Sequence, residues 1–256
     1  MLTPYKKILV PIIIRLGRRK AAKHFTEPPV LIGGCGRSGT TLLLSILSSH
    51  PEVFACPKEL SLFKYWKSGN NGRGEPERID RLYTTFLRSR IGRKVNRWCE
   101  KTPNNIRYVN RIDTYFKGRF AFIQIIRDGR DVILSRHPSS EGAYYVDPAR
   151  WVEDVTMGLT LLDDPRVLTI RYESLVQDYI PTIRKVLHHL DLSITDEILS
   201  WYDHSTVRRN PAYFSGLEKL HTHSIGKWKD PVYRERVDEL LRYPGAIELL
   251  KKLKYI

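Results

Sequence analysis

Cysteine is scarce in this chain. Its 256 residues hold three, Cys35, Cys56 and Cys99, at spacings that give neither a disulfide framework nor a CxxC metal or redox pair. The expected compartment is therefore a reducing one, the cytoplasm. Long apolar runs are missing as well. The clearest near the N terminus, Ile8-Leu9-Val10-Pro11-Ile12-Ile13-Ile14, is seven residues long, whereas a helix crossing a bilayer needs about 20. A cleaved secretory leader would need a longer apolar core and a small-residue cleavage site, and the segment offers neither. Internal repeats and low-complexity tracts are absent too.

Positive charge is what the chain has in excess, a formal +15 from 43 Lys+Arg against 28 Asp+Glu. Such an excess favours anionic partners: nucleotides, sulfated or phosphorylated acceptors, nucleic acid, or a membrane surface. A basic nucleic-acid-binding module has only this charge to support it, because no stretch matches a known recognition motif, and nucleic acid is not the expected partner. The apolar run near the N terminus is flanked by Lys6, Lys7, Arg15, Arg18, Arg19, Lys20 and Lys23. Residues 1–28 thus read as a basic, apolar arm that either packs along the domain or lies, through residues 5–23, on an anionic membrane. The remainder, 29–256, reads as one domain large enough to bury a sizeable core.

The most informative stretch is Val30-Leu31-Ile32-Gly33-Gly34-Cys35-Gly36-Arg37-Ser38-Gly39-Thr40-Thr41-Leu42-Leu43-Leu44, an apolar strand running through glycines into an apolar helix. The glycines permit a sharp turn and close approach of the backbone, and the new helix aims unpaired N–H groups at whatever sits there, which should be an anion. An ATP-type loop would read G-x-x-x-x-G-K-[ST], with its lysine on the β/γ-phosphates. Here Thr40 stands in the lysine slot and the nearest cation, Arg37, comes before the second glycine. A P-loop kinase is therefore the less favoured enzyme class. Cys35, inside the loop, reads as a small residue fitting a tight turn.

A second segment, Arg119-Phe120-Ala121-Phe122-Ile123-Gln124-Ile125-Ile126-Arg127-Asp128-Gly129-Arg130-Asp131-Val132-Ile133-Leu134-Ser135, reads as a buried parallel strand entering a helix. Arg127 offers a forked donor suited to phosphate, and Ser135 a hydroxyl two helical turns on. Asp128 and Asp131 are explained by capping and salt bridging rather than metal binding.

These two stretches resemble the sulfotransferases that use 3′-phosphoadenosine-5′-phosphosulfate (PAPS). The family's 5′-phosphosulfate loop commonly reads [KR]-S-G-T-T, as Arg37-Ser38-Gly39-Thr40-Thr41 does, and its 3′-phosphate element reads R-[DN]-x-x-[DE]-x-x-x-S, as residues 127–135 do. The resemblance implies that Gly36, Arg37, Ser38, Gly39, Thr40 and Thr41 hold the 5′-phosphate end and that Arg127 and Ser135 hold the 3′-phosphate. Lys58-Glu59-x-x-x-Phe63 looks like the segment in which the carbohydrate and tyrosyl-protein branches carry a glutamate base, making Glu59 the candidate base. Glu100-Lys101-Thr102-Pro103 looks like the E-K-T-P element whose lysine faces the site, so Lys101 with Arg37 would stabilise charge around the transferring sulfonate. Arg171-Tyr172-Glu173-Ser174-Leu175 matches R-Y-E-[DS]-L, with Tyr172 a candidate neighbour of adenine. Ser224-Ile225-Gly226-Lys227-Trp228 looks like the late S-x-G-x-W segment that closes over the nucleotide. The cytosolic branch's R-K-G is replaced by His221-Thr222-His223, leaving Ser224 and Lys227 as substitutes.

The implied architecture is a three-layer α/β/α P-loop-like domain with a mainly parallel central sheet and its site at the carboxyl ends of the strands. The implied reaction moves a sulfonate from PAPS to a hydroxyl or an amine, releasing 3′-phosphoadenosine 5′-phosphate, without a metal. A glycan, a glycolipid, a peptide or a small natural product would each supply the acceptor. Patterning places strands at 53–56, 119–126 and 166–171, and helices at 41–49, 76–90, 151–162, 181–190, 195–201, 232–241 and 246–253. The turn-rich residues 68–76 read as a lid, and 137–145 as part of an acceptor gate.

Overall fold

The computed structural model describes residues 4–69, 74–137, 140, 142–208 and 219–256, with side chains from residue 9 onward. Residues 70–73 of the lid expectation at 68–76, part of the gate at 137–145 and residues 209–218 fall outside the described residues; the flanks of the lid, Ser68 and Gly74, pair across an antiparallel ladder.

The N-terminal arm forms helix α1 (Pro4–His24). Strand β1 (Val30–Gly33) follows and leads through the glycine loop into α2 (Thr40–Leu47). Next come β2 (Val53–Ala55) and an antiparallel pair, β3 (Trp66–Ser68) with β4 (Gly74–Pro76). After α3 (Asp80–Arg88) comes β5 (Arg97–Lys101), then a 3₁₀ turn (Pro103–Tyr108) and α4 (Val109–Phe116). Strand β6 (Ala121–Ile126) gives way to the single turn α5 (Gly129–Val132), and α6 (Pro148–Leu159) precedes β7 (Val167–Arg171). Helices α7 (Tyr172–Gln177), α8 (Tyr179–His189), α9 (Asp196–Leu199), α10 (Trp201–His204), α11 (Arg234–Arg242) and α12 (Ala246–Lys252) complete the chain.

Five strands form one parallel sheet in the order β2-β5-β1-β6-β7. With β1 at its centre, Val30 stands opposite Cys99 of β5 and Ala121 of β6. Because helices cover both faces, β1 is apolar throughout rather than alternating. One face packs Leu43, Leu44 and Leu47 of α2 with Ile183, Val186 and Leu187 of α8. The other packs Leu31, Trp98 and Phe122 against Phe86 of α3 and Ile112 of α4. A third cluster, Cys35, Ile126, Val132, Trp151 and Leu250, lies under α6 and α12. The three-layer α/β expectation holds.

Three elements depart from expectation, the first being the helix expected over 195–201, which divides at Ser200 into α9 and α10. The helix after Arg127 does not carry Ser135: α5 ends at Val132, and the chain leaves it to form an antiparallel bridge between Arg136 and Tyr144. The physical reason is competing pairing: the Ser135 carbonyl accepts from Tyr145 N at 2.9 Å and His137 N donates to the Ala143 carbonyl at 2.8 Å, so this backbone is bonded across the bridge and not along a helix. The helix expected from 76 starts at Asp80, because residues 74–76 pair with β3, Trp66 opposite Pro76.

The arm packs on the domain. Gly17 lies so close to α3 that a Cβ added there would sit 2.3 Å from the Tyr83 Cβ. Lys20 Nζ donates to the Ser89 carbonyl at 2.8 Å, and Ile13, Ile14 and Ala21 pack on the cluster containing Tyr83 and Phe86. The outer face keeps Ile12 and Leu16 exposed, at 48% and 46%. No described helix is long and apolar enough to cross a membrane.

Candidate active site at the strand ends

Every strand of the parallel sheet ends beside a candidate residue, the placement expected where α/β sheets gather ligands. At the centre, Gly34 has φ +140°, Arg37 φ +68° and Gly39 φ +97°, so the loop after β1 turns three times through left-handed backbone. Gly39 leads directly into α2, whose N terminus has no side-chain cap. Its first N–H groups therefore face the loop's concavity. Ser38, Thr40 and Thr41 are buried there, and Gly36 lies against Tyr145 and Arg150, both near 3 Å from where its Cβ would be (3.1 and 3.2 Å).

Arg127, one residue past β6, joins three parts of the site. Its Nη1 donates to the Arg37 carbonyl at 2.9 Å and its Nη2 to the Ser224 carbonyl, while its guanidinium lies 4.4 Å from the Tyr172 ring centroid. Burial and the neighbouring Arg127 charge lower the Arg37 guanidinium from its usual value, although it stays cationic near neutral pH. Arg127 Nε and Ser38 Oγ are both buried without a hydrogen-bond partner among the described residues. Buried polar atoms are seldom left unpaired. Two such donors beside an uncapped helix start fit a phosphorylated ligand.

Tyr172 is 7% exposed and packed between Arg127 and the loop, with the Gly39 Cβ position 2.5 Å from its ring. The ring thus packs between the loop and the Arg127 guanidinium. Ser135 is half-buried past the end of α5, where its carbonyl accepts from Tyr145 N at 2.9 Å. The hairpin-like excursion beyond it brings Tyr145 to 6.0 Å from the Arg37 guanidinium. Lys227 is exposed on a 3₁₀ turn (Lys227–Lys229).

On the other side of β1, Lys101 at the end of β5 pairs with Glu59, four residues past β2. The Lys101 side chain is 1% exposed and that of Glu59 42%. A buried ammonium needs such a partner, and the carboxylate keeps an open side toward solvent.

Sequence reasoning missed several supporting residues. Glu100 is fully buried and accepts from Leu60 N at 2.9 Å, Thr102 Oγ1 at 2.6 Å and Asn105 Nδ2 at 2.8 Å. Burial pushes its carboxyl above the usual range despite these donors. Asp128 caps α5 and pairs with Arg130, as expected. Asp131 instead accepts from Gly226 N at 2.7 Å and Trp228 N at 3.1 Å, and Arg130 stacks 3.6 Å from the Trp228 ring centroid. Glu173 takes Asp128 N and the Tyr255 hydroxyl, each at 3.0 Å. The one available signal was a run of acidic residues beside strand ends, which does not reveal their partners. Burial, with Asp154 next in importance, raises the Cys35 thiol well above its ordinary value, consistent with a packing role.

A glycine loop opening a helix at the centre of a parallel sheet, answered by an arginine from the adjoining strand, defines a P-loop-like α/β domain. The chain belongs to the sulfotransferase family: the family model described as "Sulfotransferase family" matches residues 28–196. Protein-tyrosine sulfotransferase A of Caenorhabditis elegans is 26% identical over 251 residues, 87% of this chain and 62% of that protein. Protein-tyrosine sulfotransferase 1 of Danio rerio is 27% identical over 200 residues, 67% of this chain and 55% of that one. The sulfotransferase domain of the Synechococcus PCC 7002 olefin synthase shares the fold with a TM-score of 0.59 at 17% identity, covering 91% of this chain and 96% of that one. Mouse sulfotransferase SULT7A1, solved in complex with PAP, shares it with a TM-score of 0.54 at 14% identity, over 93% and 94%.

Proposed function

We propose that this enzyme transfers a sulfonate group from PAPS to a hydroxyl, and that a tyrosine-bearing peptide is the acceptor. The observation carrying the first part is the junction at Arg127, which links the glycine loop to residue 224 while one of its own donors and Ser38 Oγ are left unpaired. The second part rests on the relatives named as protein-tyrosine sulfotransferases. Family membership sets aside the kinase reading that the loop alone permitted.

In this reading Ser38, Thr40, Thr41 and the N–H groups opening α2 hold the 5′-phosphate, with Gly36 and Gly39 letting it approach. Arg127 holds the 3′-phosphate, with Ser135 and Ser224 nearby and Lys227 at the rim. Glu59 takes the proton of the acceptor hydroxyl as the acceptor oxygen forms its bond to sulfur and the bond from sulfur to the 5′-phosphate oxygen breaks. Arg37 and Lys101 stabilise the charge that builds on the leaving oxygen. No step calls for a metal. The buried, unpaired cysteines support a reducing compartment, and residues 5–23 would bring the enzyme against an anionic membrane.

Calorimetric titration with 3′-phosphoadenosine 5′-phosphate tests the nucleotide half. Wild type should bind, and Arg127→Ala should bind roughly ten- to a hundredfold more weakly, since hydrogen bonds to charged groups contribute about 1.5–3 kcal/mol. Glu59→Gln should keep nucleotide binding while losing sulfation of a pool of tyrosine-containing peptides, followed by mass shift. Absence of binding by wild type would end this reading.

A further inference from the structure

The carboxylate of Glu59 sits on a loop, and a loop alone does not fix a general base to the tolerance that proton transfer requires. What fixes it lies behind it. On β5, Glu100 and Lys101 are consecutive, so their side chains leave opposite faces of the strand. Lys101 reaches the side chain of Glu59, and Glu100 accepts the N–H of the next residue, Leu60, at 2.9 Å. Two neighbouring strand residues thus grip two neighbouring loop residues.

The grip extends on both sides. Thr102 Oγ1 donates to Glu100 at 2.6 Å and accepts from Ser61 N at 3.1 Å. Ser61 has φ +48°, a left-handed conformation that a serine keeps only when its surroundings enforce it. Asn105 Nδ2 donates to the second Glu100 oxygen at 2.8 Å and also contacts the Ile32 carbonyl at 3.3 Å, two residues before Gly34. One fully buried carboxylate therefore ties the Glu59 loop, the end of β5 and the root of the phosphate loop together.

We propose that Glu100 is a positioning residue, one that touches neither nucleotide nor acceptor but holds Glu59 against Lys101 in register with the glycine loop. The proposal rests on the sulfotransfer reading for the role of Glu59. Its geometric core, that Glu100 keeps Lys101 paired and covered, is independent of it.

The test uses two variants of the full chain. Thr102→Val removes the hydroxyl bridging Glu100 to Ser61 with little change of volume, and Glu100→Gln keeps one acceptor oxygen while placing an amide against Asn105. Each is examined by thermal unfolding, by calorimetry with 3′-phosphoadenosine 5′-phosphate, by steady-state sulfation of tyrosine-containing peptides, and by acetic anhydride labelling of Lys101 read by mass spectrometry. Exposed Lys94 serves as the labelling control. We expect nucleotide affinity and the KM for PAPS within about twofold of wild type, kcat at least tenfold lower, and Lys101 labelled at least tenfold faster with Lys94 unchanged. Unchanged kcat and labelling in both variants would overturn the proposal. So would a parallel loss of nucleotide affinity and thermal stability, which would make Glu100 a general scaffold residue. If wild type binds no nucleotide the functional reading falls, and the labelling of Lys101 still decides whether Glu100 holds the pair.

Discussion

At Gly34 the position a side chain would occupy is already taken. A Cβ there would lie 2.4 Å from the Ile125 carbonyl oxygen, and φ is +140°. The obstacle is backbone of the adjoining strand, which cannot swing aside as a side chain can. Gly34→Ala should therefore lower stability by at least about 2 kcal/mol, adding strained backbone to a core clash. Chemical denaturation would show it as a lower midpoint with unchanged slope. A glycine in such a loop was legible in the sequence because its chemistry is local. That Arg37 lies in the loop and Arg127 just past a strand end could also be read from the sequence, because both positions are local. The role of Glu100 was not, because its partners Leu60 and Asn105 reach it only once β2, β5 and β1 are aligned. The contact of Tyr172 with Arg127 was likewise not legible, because only the pairing of β6 with β7 brings the two residues together.

Among the elements, the four-residue turn α5 carries more of the site than its length suggests. Arg127 just before it reaches Ser224, Arg130 stacks on Trp228, and Asp131 accepts the N–H groups of Gly226 and Trp228. These contacts fasten a late segment of the chain beside the loop after β1. Asp131→Ala removes two hydrogen bonds to a carboxylate, so nucleotide affinity should fall by roughly tenfold or more, while melting of the chain should shift far less. Titration alongside thermal unfolding separates the two effects. Strands and long helices could be placed from apolar periodicity, because burial on a sheet face imposes a regular pattern. The early end of α5 could not, since pairing of Ser135 and His137 with Tyr145 and Ala143 competes with a pattern that continues to look helical.

Across the whole molecule, the +15 charge is concentrated in part along α1, where Arg15, Arg18, Arg19 and Lys23 are exposed beside Ile12 and Leu16. Two aliphatic side chains among cations is the composition that settles at a lipid interface. Wild type should cosediment with phosphatidylserine-containing vesicles and not with pure phosphatidylcholine. Added salt should release it, and Ile12→Asp with Leu16→Asp should weaken binding by roughly tenfold or more, at about 0.8 kcal/mol per CH₂ withdrawn from lipid. Equal binding to both vesicle types would remove the membrane from the account.

The strand order has one more consequence. Glu59 and Lys101 stand on the β2 and β5 side of β1, whereas Arg127, Tyr172 and the segment at 224 stand on the β6 and β7 side. Under the proposed reading, acceptor handling and donor handling occupy separate flanks of the sheet and meet only over the glycine loop. A lineage built this way can diversify what it modifies by altering one flank, while the other preserves its dependence on a common donor.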